Sequence, residues 1–505
     1  MKILVANRGE IAVRIIRACR EMGLPTVAVY SDCDRNARHV READQAFHIG
    51  PGEAALSYLR IDAILDVAKR AGADAVHPGY GFLAENPAFA RACRDAGLTF
   101  IGPSPEAIAL MGSKTAARDA AIAAGVPVVP GTNLPLDERV SDEEIARMAA
   151  AVGYPLMVKA VAGGGGKGMR TVDDRASLSA AIRSARSEAG AAFGDTAIYL
   201  ERRLVGPRHI EIQLLGDEHG TILPFVEREC SIQRRHQKVI EESPSMAVSP
   251  ELRRRIAAAA TAVARAVDYS SAGTIEFLLD ADGSFYFLEM NTRLQVEHPV
   301  TEMVTSIDLV QWQIRIARGE KLEIDPERAF TPHGHAIECR IYAEDPDQGF
   351  MPSPGLILGL RPASGPGVRD DGGVSAGYIV PVFYDSMIAK LITWGASRRE
   401  AVDRMARALR EYQVLGIRTT IPFFLWLMRQ PDYVAGRYDT TYLDRLLAER
   451  NGESFSELTE SDEELASMAT ALDAYLRTSA RSGPAGQARA QGPWKQAARR
   501  GALRG

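Results

Sequence analysis

Carboxylate, amide and guanidinium groups recur at every second position of Glu289-Met-Asn-Thr-Arg-Leu-Gln-Val-Glu297. Successive side chains of an extended strand point to opposite faces, so Glu289, Asn291, Arg293, Gln295 and Glu297 are expected on one face. Met290, Leu294 and Val296 would pack beneath, with Thr292 the polar exception. Such a face contributes little to stability and reads as a surface for chemistry. Just upstream, 274–279 and 284–289 are apolar and aromatic runs separated by Asp282-Gly283, a strong two-residue hairpin signal. With Ala281 paired to Ser284, the ladder places Glu276 opposite Glu289. Like charges facing each other across strands are destabilising. A divalent cation between them would remove that penalty, with Asn291 as a further oxygen. Hard cations held by one or two carboxylates plus substrate phosphates are the magnesium pattern. Solvation of both carboxylates on an exposed sheet face is the alternative.

A second group of residues suits phosphate. Residues 154–160 form an apolar run carrying Lys159 and lead into Val161-Ala-Gly-Gly-Gly-Gly-Lys-Gly-Met-Arg170. Backbone amides of such a loop approach phosphate oxygens without interference from Cβ atoms. It is not a Walker A loop, because Val161 stands where the first glycine belongs and Gly168 replaces Ser/Thr. A flexible linker is the alternative, against which Lys159 and Lys167 count. Tyr199-Leu-Glu-Arg-Arg-Leu204 ends a strand where backbone groups and Glu201 can meet a base edge. His209-Ile-Glu-Ile-Gln213 alternates as a further strand. The run 228–238 is dense in donors, among them Gln233, Arg234, Arg235, His236 and Lys238, which in an acidic protein reads as an anion site rather than a solvated basic face.

The elements that must position these groups follow from the whole chain. At 505 residues it should divide into two to four domains. The first ~110 residues alternate strand and helix patterns, implying a parallel sheet covered by helices. Within them Gly79-Tyr-Gly-Phe-Leu-Ala84 fits a dinucleotide fingerprint literally, but it falls late in the unit between Pro78 and Pro87. A nicotinamide site is therefore rejected, while a loop lining a ligand crevice is retained. The divisions read from the sequence are 1–112, 113–204, 205–446 and 447–505. The last is acidic, then basic, and is expected from its composition to be partly disordered: 477–505 holds seven Lys/Arg and no Asp or Glu. Ser461-x-x-Glu464 is a capping box opening a helix with a Leu465, Met468, Leu472, Leu476 stripe, expected to dock on the body or on a partner. A net charge of −5 argues against nucleic acid as the main partner. Five scattered cysteines without CxxC spacing point to a reducing compartment, and no run is long enough to span a bilayer. A cytoplasmic protein is expected.

Taken together, Lys114, Lys159, the glycine loop, Glu201 to Leu204, His209, Gln-x-x-His-Gln-Lys238, Glu276 and Glu289-Met-Asn-x-Arg-x-Gln-Val-Glu297 resemble an ATP-grasp enzyme, and more closely biotin carboxylase. His77-Pro-Gly-Tyr-Gly-Phe-Leu-Ala-Glu85 and Gly334-His-Ala-Ile-Glu-Cys-Arg-Ile341 carry the same likeness, which spans about residues 1–446. The resemblance implies an α/β and α+β ATP-grasp fold with an N-terminal Rossmann-like domain, a mobile lid and a β-rich C-terminal domain. It implies ATP at Lys114, Lys159, Gly165, Gly166, Glu201, Leu204, His209, Gln233 and His236, and Mg²⁺ or Mn²⁺ at Glu276, Glu289 and Asn291. Bicarbonate would lie at Lys238, Arg293, Gln295 and Val296, with Glu297 as base. Biotin would lie at Tyr80, Gly81 and Arg340. The chain contains no Ala-Met-Lys-Met-type biotinylation motif, so biotin is expected on a separate biotin carboxyl carrier protein, with separate carboxyltransferase subunits and a homodimeric enzyme. The alternatives are another ATP-grasp ligase making an acyl phosphate, or a non-catalytic ATP-binding scaffold.

Overall fold

A computed structural model describes residues 1–132, 135–137, 139–161, 168–455 and 460–481. The chain divides into two compact units, Met1–Glu453 and Ser454–Gly505. The first opens on Ile3–Val5, a wholly buried apolar strand. Such an unbroken hydrophobic run is what a strand covered on both faces requires. It is central in an all-parallel sheet of order Gln45–Gly50, Thr26–Ser31, Ile3–Val5, Ala75–His77, Thr99–Phe100. The strand order reverses between Ile3–Val5 and Ala75–His77, and open α/β sheets bind ligands beyond the carboxyl ends of strands at such a switch point. The loops leaving these two strands meet there. Asn7 Nδ2 donates to the carbonyls of Pro78 and Tyr80, each at 2.7 Å. Gly79 takes a φ of +65°, and a Cβ on it would lie 2.9 Å from Asn7 Nδ2. The glycine-rich wording of 79–84 thus serves a tight loop beside the crevice.

A smaller antiparallel sheet follows, ordered Met169–Val172, Leu156–Ala160, Ile198–Arg202, with helices Asp142–Val152 and Arg175–Phe193 packed over its apolar face. The glycine loop joins two of these strands; Gly165, Gly166 and Lys167 lie outside the described residues. Ahead of the sheet, helix Lys114–Ala123 starts at Ser113, whose side chain accepts from the Ala116 amide.

The largest element is an antiparallel sheet of order Phe285–Asn291, Ser271–Leu279, Arg208–Gly216, Arg228–Arg234, Gln237–Ser243, His335–Tyr342, Met387–Gly395, Val368–Gly372. One side rests on a core that includes Ile210, Ile212, Ile256, Ile275 and Phe277. The other side carries the polar residues singled out above.

Two expectations about this sheet are corrected. Asp282-Gly283 is not a two-residue loop: pairing ends at Leu279 opposite Phe285, and Asp280 donates from its amide to the Ser284 carbonyl at 2.8 Å. The register that results is one residue short of the expected one, and a bulge at Leu288 restores it, so Glu276 does face Glu289. Bulges let two residues of one strand oppose one of the other. Second, the strand stops at Asn291, and 292–297 is a loop that runs into helix His298–Thr305. The backbone there finds partners outside any ladder. The Thr292 amide donates to Glu85 (3.0 Å) and the Val296 carbonyl accepts from Lys390 Nζ (2.9 Å). A single strand face for all five residues is therefore not formed.

In the second unit Glu460–Arg481 is a helix, and Leu465, Met468, Leu472 and Leu476 on it are exposed.

Candidate active site

A cleft of 1130 Å³ gathers Lys159, Glu201, Leu204, His209, Gln233, His236, Lys238, Glu276, Glu289, Asn291, Arg293, Gln295, Val296, Glu297 and Arg340. An adjoining cavity of 380 Å³ shares Lys159, Glu201, His236 and Glu289 with it and adds Lys114. Every described residue expected at ATP, metal or bicarbonate thus lies on one continuous depression. Tyr80 and Gly81 are not among the lining residues. Tyr80 is tied to it through Lys390, whose Nζ stands 5.9 Å from the Tyr80 ring while bonding the Val296 carbonyl.

The nucleotide end is built by the small sheet and a hairpin. Lys159 and Glu201 sit on paired strands and form an ion pair. The donor-rich run 228–238 is two strands joined by Arg235 and His236, both with positive φ (50° and 65°). A two-residue turn with positive φ at both positions matches the strand twist but normally uses Asn or Gly. Placing Arg and His there is strained, and it brings His236 into the cleft. Gln233 Nε2 lies 3.1 Å from His209 Nδ1, and His209 Nε2 lies 2.9 Å from Glu276 Oε2.

The centre is a buried charge network. Lys238 Nζ donates to Glu211 (2.6 Å), Glu276 (2.8 Å) and Glu297 (2.7 Å). Glu276 Oε1 also accepts from Asn291 (2.9 Å) and Gln295 (2.7 Å). Burial favours the neutral form of Glu276, but Lys238 and His209 outweigh it and hold the carboxyl well below the usual range. Glu297 behaves likewise: burial is overcome by Lys238, Arg340 and Arg228, so it is ionised at neutral pH. Glu289 moves the other way, pushed up by desolvation from the surrounding cleft walls and by the facing Glu276, while its side chain stays open to solvent. The repulsion between these facing carboxylates fits a hard divalent cation, and the Asn291 amide oxygen, which here accepts from Arg293 Nη2 (2.9 Å), would have to turn to it. Among the described residues, two groups of potential ligands bring their ligand atoms within 4.8 Å of one another: His209, Glu211, Glu276 and Glu211, Cys230, Glu297. Here Lys238 occupies the position of positive charge beside Glu276.

Beyond Glu297 lies Arg340, whose Nε donates to Glu241 (2.7 Å) and whose Nη2 donates to Glu297 (3.0 Å). Burial works against its charge, but Glu241 and Glu297 hold it cationic. Arg293 is steered by Glu85 at Nε (2.8 Å) and by Asn291 at Nη2 (2.9 Å). The Gln295 amide is spent on Glu276 and Arg228, so it braces the network more than it faces open space.

The sequence reading gave no role to Glu85, Glu211, Arg228, Glu241 or Lys390. Glu211 was visible, since it sits between His209 and Gln213 on an alternating strand. Arg228 is fully buried and spends all its N–H groups on Glu211, Gln213, Thr301, Thr274 and Gln295. No local pattern signals it, because its partners come from separate segments of the chain.

Three family models match consecutively: biotin carboxylase N-terminal domain over 1–108, the ATP-binding domain of the carbamoyl-phosphate synthase L chain over 113–325, and biotin carboxylase C-terminal domain over 338–445. The chain is 53% identical to a pyruvate carboxylase subunit of Methanothermobacter thermautotrophicus over 444 residues, 88% of this chain and 89% of that one. It is 51% identical to a biotin carboxylase of Nostoc sp. over 88% of this chain and 99% of the relative. Among solved structures, a Campylobacter jejuni biotin carboxylase with a βγ-ATP ligand superposes with a TM-score of 0.84 at 46% identity, covering 88% of this chain and 98% of that one. The biotin carboxylase domain dimer of Hydrogenobacter thermophilus 2-oxoglutarate carboxylase, holding MgADP, ADP and bicarbonate, superposes at 0.83 and 46% identity, covering 90% and 98%.

Proposed function

The chain belongs to the biotin carboxylase family, ATP-grasp ligases that carboxylate biotin at the expense of ATP, and on that premise we propose how this cleft divides the work. Lys114, Lys159, Gly165, Gly166, Glu201, Leu204, His209, Gln233 and His236 bind ATP. Glu276, Glu289 and Asn291 hold Mg²⁺ or Mn²⁺, which neutralises the phosphate charge. Lys238, Arg293, Gln295 and Val296 seat bicarbonate, and ionised Glu297 takes its proton. Attack of a bicarbonate oxygen on the γ-phosphorus breaks the bond to the β–γ bridging oxygen, giving carboxyphosphate and ADP; positioning and charge neutralisation by the lysines serve a weak nucleophile. Carboxyphosphate breaks down to CO₂ and phosphate, the phosphate takes the proton from biotin N1, and N1 attacks CO₂ to give carboxybiotin. Arg340 stabilises the enolate-like oxygen that develops, with Tyr80 and Gly81 positioning the ring. The observation that carries this reading is Lys238 Nζ, which joins the metal end at Glu276 to the base Glu297 within 2.8 Å of each.

Biotin arrives on a separate carrier protein, and a separate carboxyltransferase selects the acceptor, whether acetyl-CoA, propionyl-CoA or pyruvate. The enzyme is a homodimer. Its cysteines, unpaired and mostly buried, favour the cytoplasm. The chain is organised as 1–112, 113–204, 205–446 and 447–505. Phosphate release from MgATP and bicarbonate, with and without free biotin, tests the reading. Biotin-stimulated release supports it. Release that only another acceptor stimulates moves the chain to a different ATP-grasp ligase, and no release favours a scaffold.

A further inference from the structure

Behind Arg340 lies a pair of acids that the reaction above leaves unused. Glu241 and Glu338 face each other as Cα partners on antiparallel strands Gln237–Ser243 and His335–Tyr342. Directly opposed residues have Cβ atoms about 5 Å apart. Both side chains are fully buried. Glu241 Oε1 takes the Arg340 guanidinium, while Glu241 Oε2 and both oxygens of Glu338 meet no hydrogen-bond donor among the described residues. Two facing ionised carboxylates in that position would be mutually repulsive and unsatisfied, each a costly state in a dry interior.

The surrounding charges do not supply the missing donors. Arg340, on the strand of Glu338, bonds Glu241 through Nε and Glu297 through Nη2, and neither bond reaches Glu338. Lys238, on the strand of Glu241, is spent on Glu211, Glu276 and Glu297. Lys390 on Met387–Gly395 bonds the Val296 carbonyl and pairs with Glu10, with Asp371 at 3.9 Å. From helix His298–Thr305, His298 Nδ1 meets the Gln295 carbonyl and Glu302 pairs with Arg14 and Arg369. Arg398 on the neighbouring helix Arg398–Glu411 pairs with Glu242, the residue after Glu241 on the strand. Among the described residues, that leaves a proton on the pair itself as the donor.

We propose that Glu241 and Glu338 share one proton as an acid–carboxylate pair, and that Glu241, held by this pairing, positions the Arg340 guanidinium against Glu297. The tendencies of the two groups agree: burial and the neighbouring acids raise Glu338 well above the ordinary value. Burial outweighs Arg340 and lifts Glu241 to about 7. The shared proton rests on the facing register and the unpaired buried oxygens, whereas the positioning role rests on the reading of Arg340 as the biotin-facing residue.

Infrared spectroscopy of the full chain labelled with ¹³C-carboxyl glutamate tests the pair. A protonated-acid carbonyl band is expected at neutral pH, shifted by the label and lost in Glu338→Gln. Absence of the band overturns the proposal, including the case of two ionised acids bridged by water. Turnover tests the positioning. Glu338→Gln, which keeps a neutral donor, should hold biotin-dependent kcat/KM within about threefold, and Glu338→Ala should lower it about tenfold or more through biotin KM, the scale of one unsatisfied buried group. Equal loss in both variants overturns the neutral-acid assignment. If the band is present but Arg340→Ser leaves biotin turnover intact, the pair stands and the positioning role falls with the site reading.

Discussion

Replacing Arg228 by methionine isolates the buried brace under the cleft. The guanidinium, with no exposed surface, bonds Glu211 at 2.5 Å, Gln295 at 2.7 Å, Gln213 at 2.9 Å, Thr301 at 3.0 Å and Thr274 at 3.1 Å. Methionine keeps much of the volume and removes every donor. Breaking one side of a buried ion pair costs about 3–5 kcal/mol, because the partner charge is left without compensation. Lys238 still bonds Glu211 at 2.6 Å, which points to the lower end, while the four orphaned neutral acceptors add to it. An expected loss of about 3–5 kcal/mol is a large share of the ~5–15 kcal/mol that holds a typical domain. Denaturant unfolding, monitored for the ATP-grasp body and compared at equal m, reads it directly. The double variant Arg228→Met/Glu211→Gln removes the stranded charge and should recover at least half of the loss. A single-variant loss under about 1 kcal/mol, or no recovery in the double variant, would refute the assignment of this arginine as the brace.

Arg340→Ser should lower biotin-dependent phosphate release about a hundredfold, the scale of losing one oxyanion donor, while nucleotide affinity measured by calorimetry stays put; a collapse of that affinity would remove Arg340 from the biotin end. Glu242, bonded to Arg398 at 2.6 Å, has its carboxyl held down to about 2 by Arg398 and His335 against the opposing effect of burial. Its folded pKa lies below the unfolded value, so its contribution, about 3 kcal/mol by linkage, is complete above about pH 4.5 and lost as pH falls towards 2. Glu242→Gln should therefore flatten the acid limb of a stability–pH curve, and an unchanged limb would contradict the pairing. Deleting 454–505 should weaken assembly or stability if the Leu465 to Leu476 stripe docks; unchanged sedimentation and unfolding would dismiss that role.

Much of the site was legible without coordinates because chemistry-bearing residues cluster in local patterns. The alternation of 289–297, the lysines at 114, 159 and 238, and the strand 335–342 each identified residues that the structure places on one cleft. Strand and helix positions in the first sheet also followed from apolar runs, since a parallel strand buried on both faces has few other compositions.

What the sequence determined by itself was this inventory of groups and the antiparallel hairpin that carries Glu276 and Glu289; their facing was expected from a two-residue loop that does not form. Only the tertiary structure decided how that pairing arises, through a longer loop whose one-residue offset a bulge at Leu288 cancels. It also decided where the strand ends, because Glu85 and Lys390 come from distant segments to take the backbone groups of 292–296. The brace at Arg228 and the facing acids Glu241 and Glu338 belong to the same class. Buried polar groups are satisfied by whichever partners the fold brings near, and that adjacency is a property of sheet order rather than of neighbouring residues.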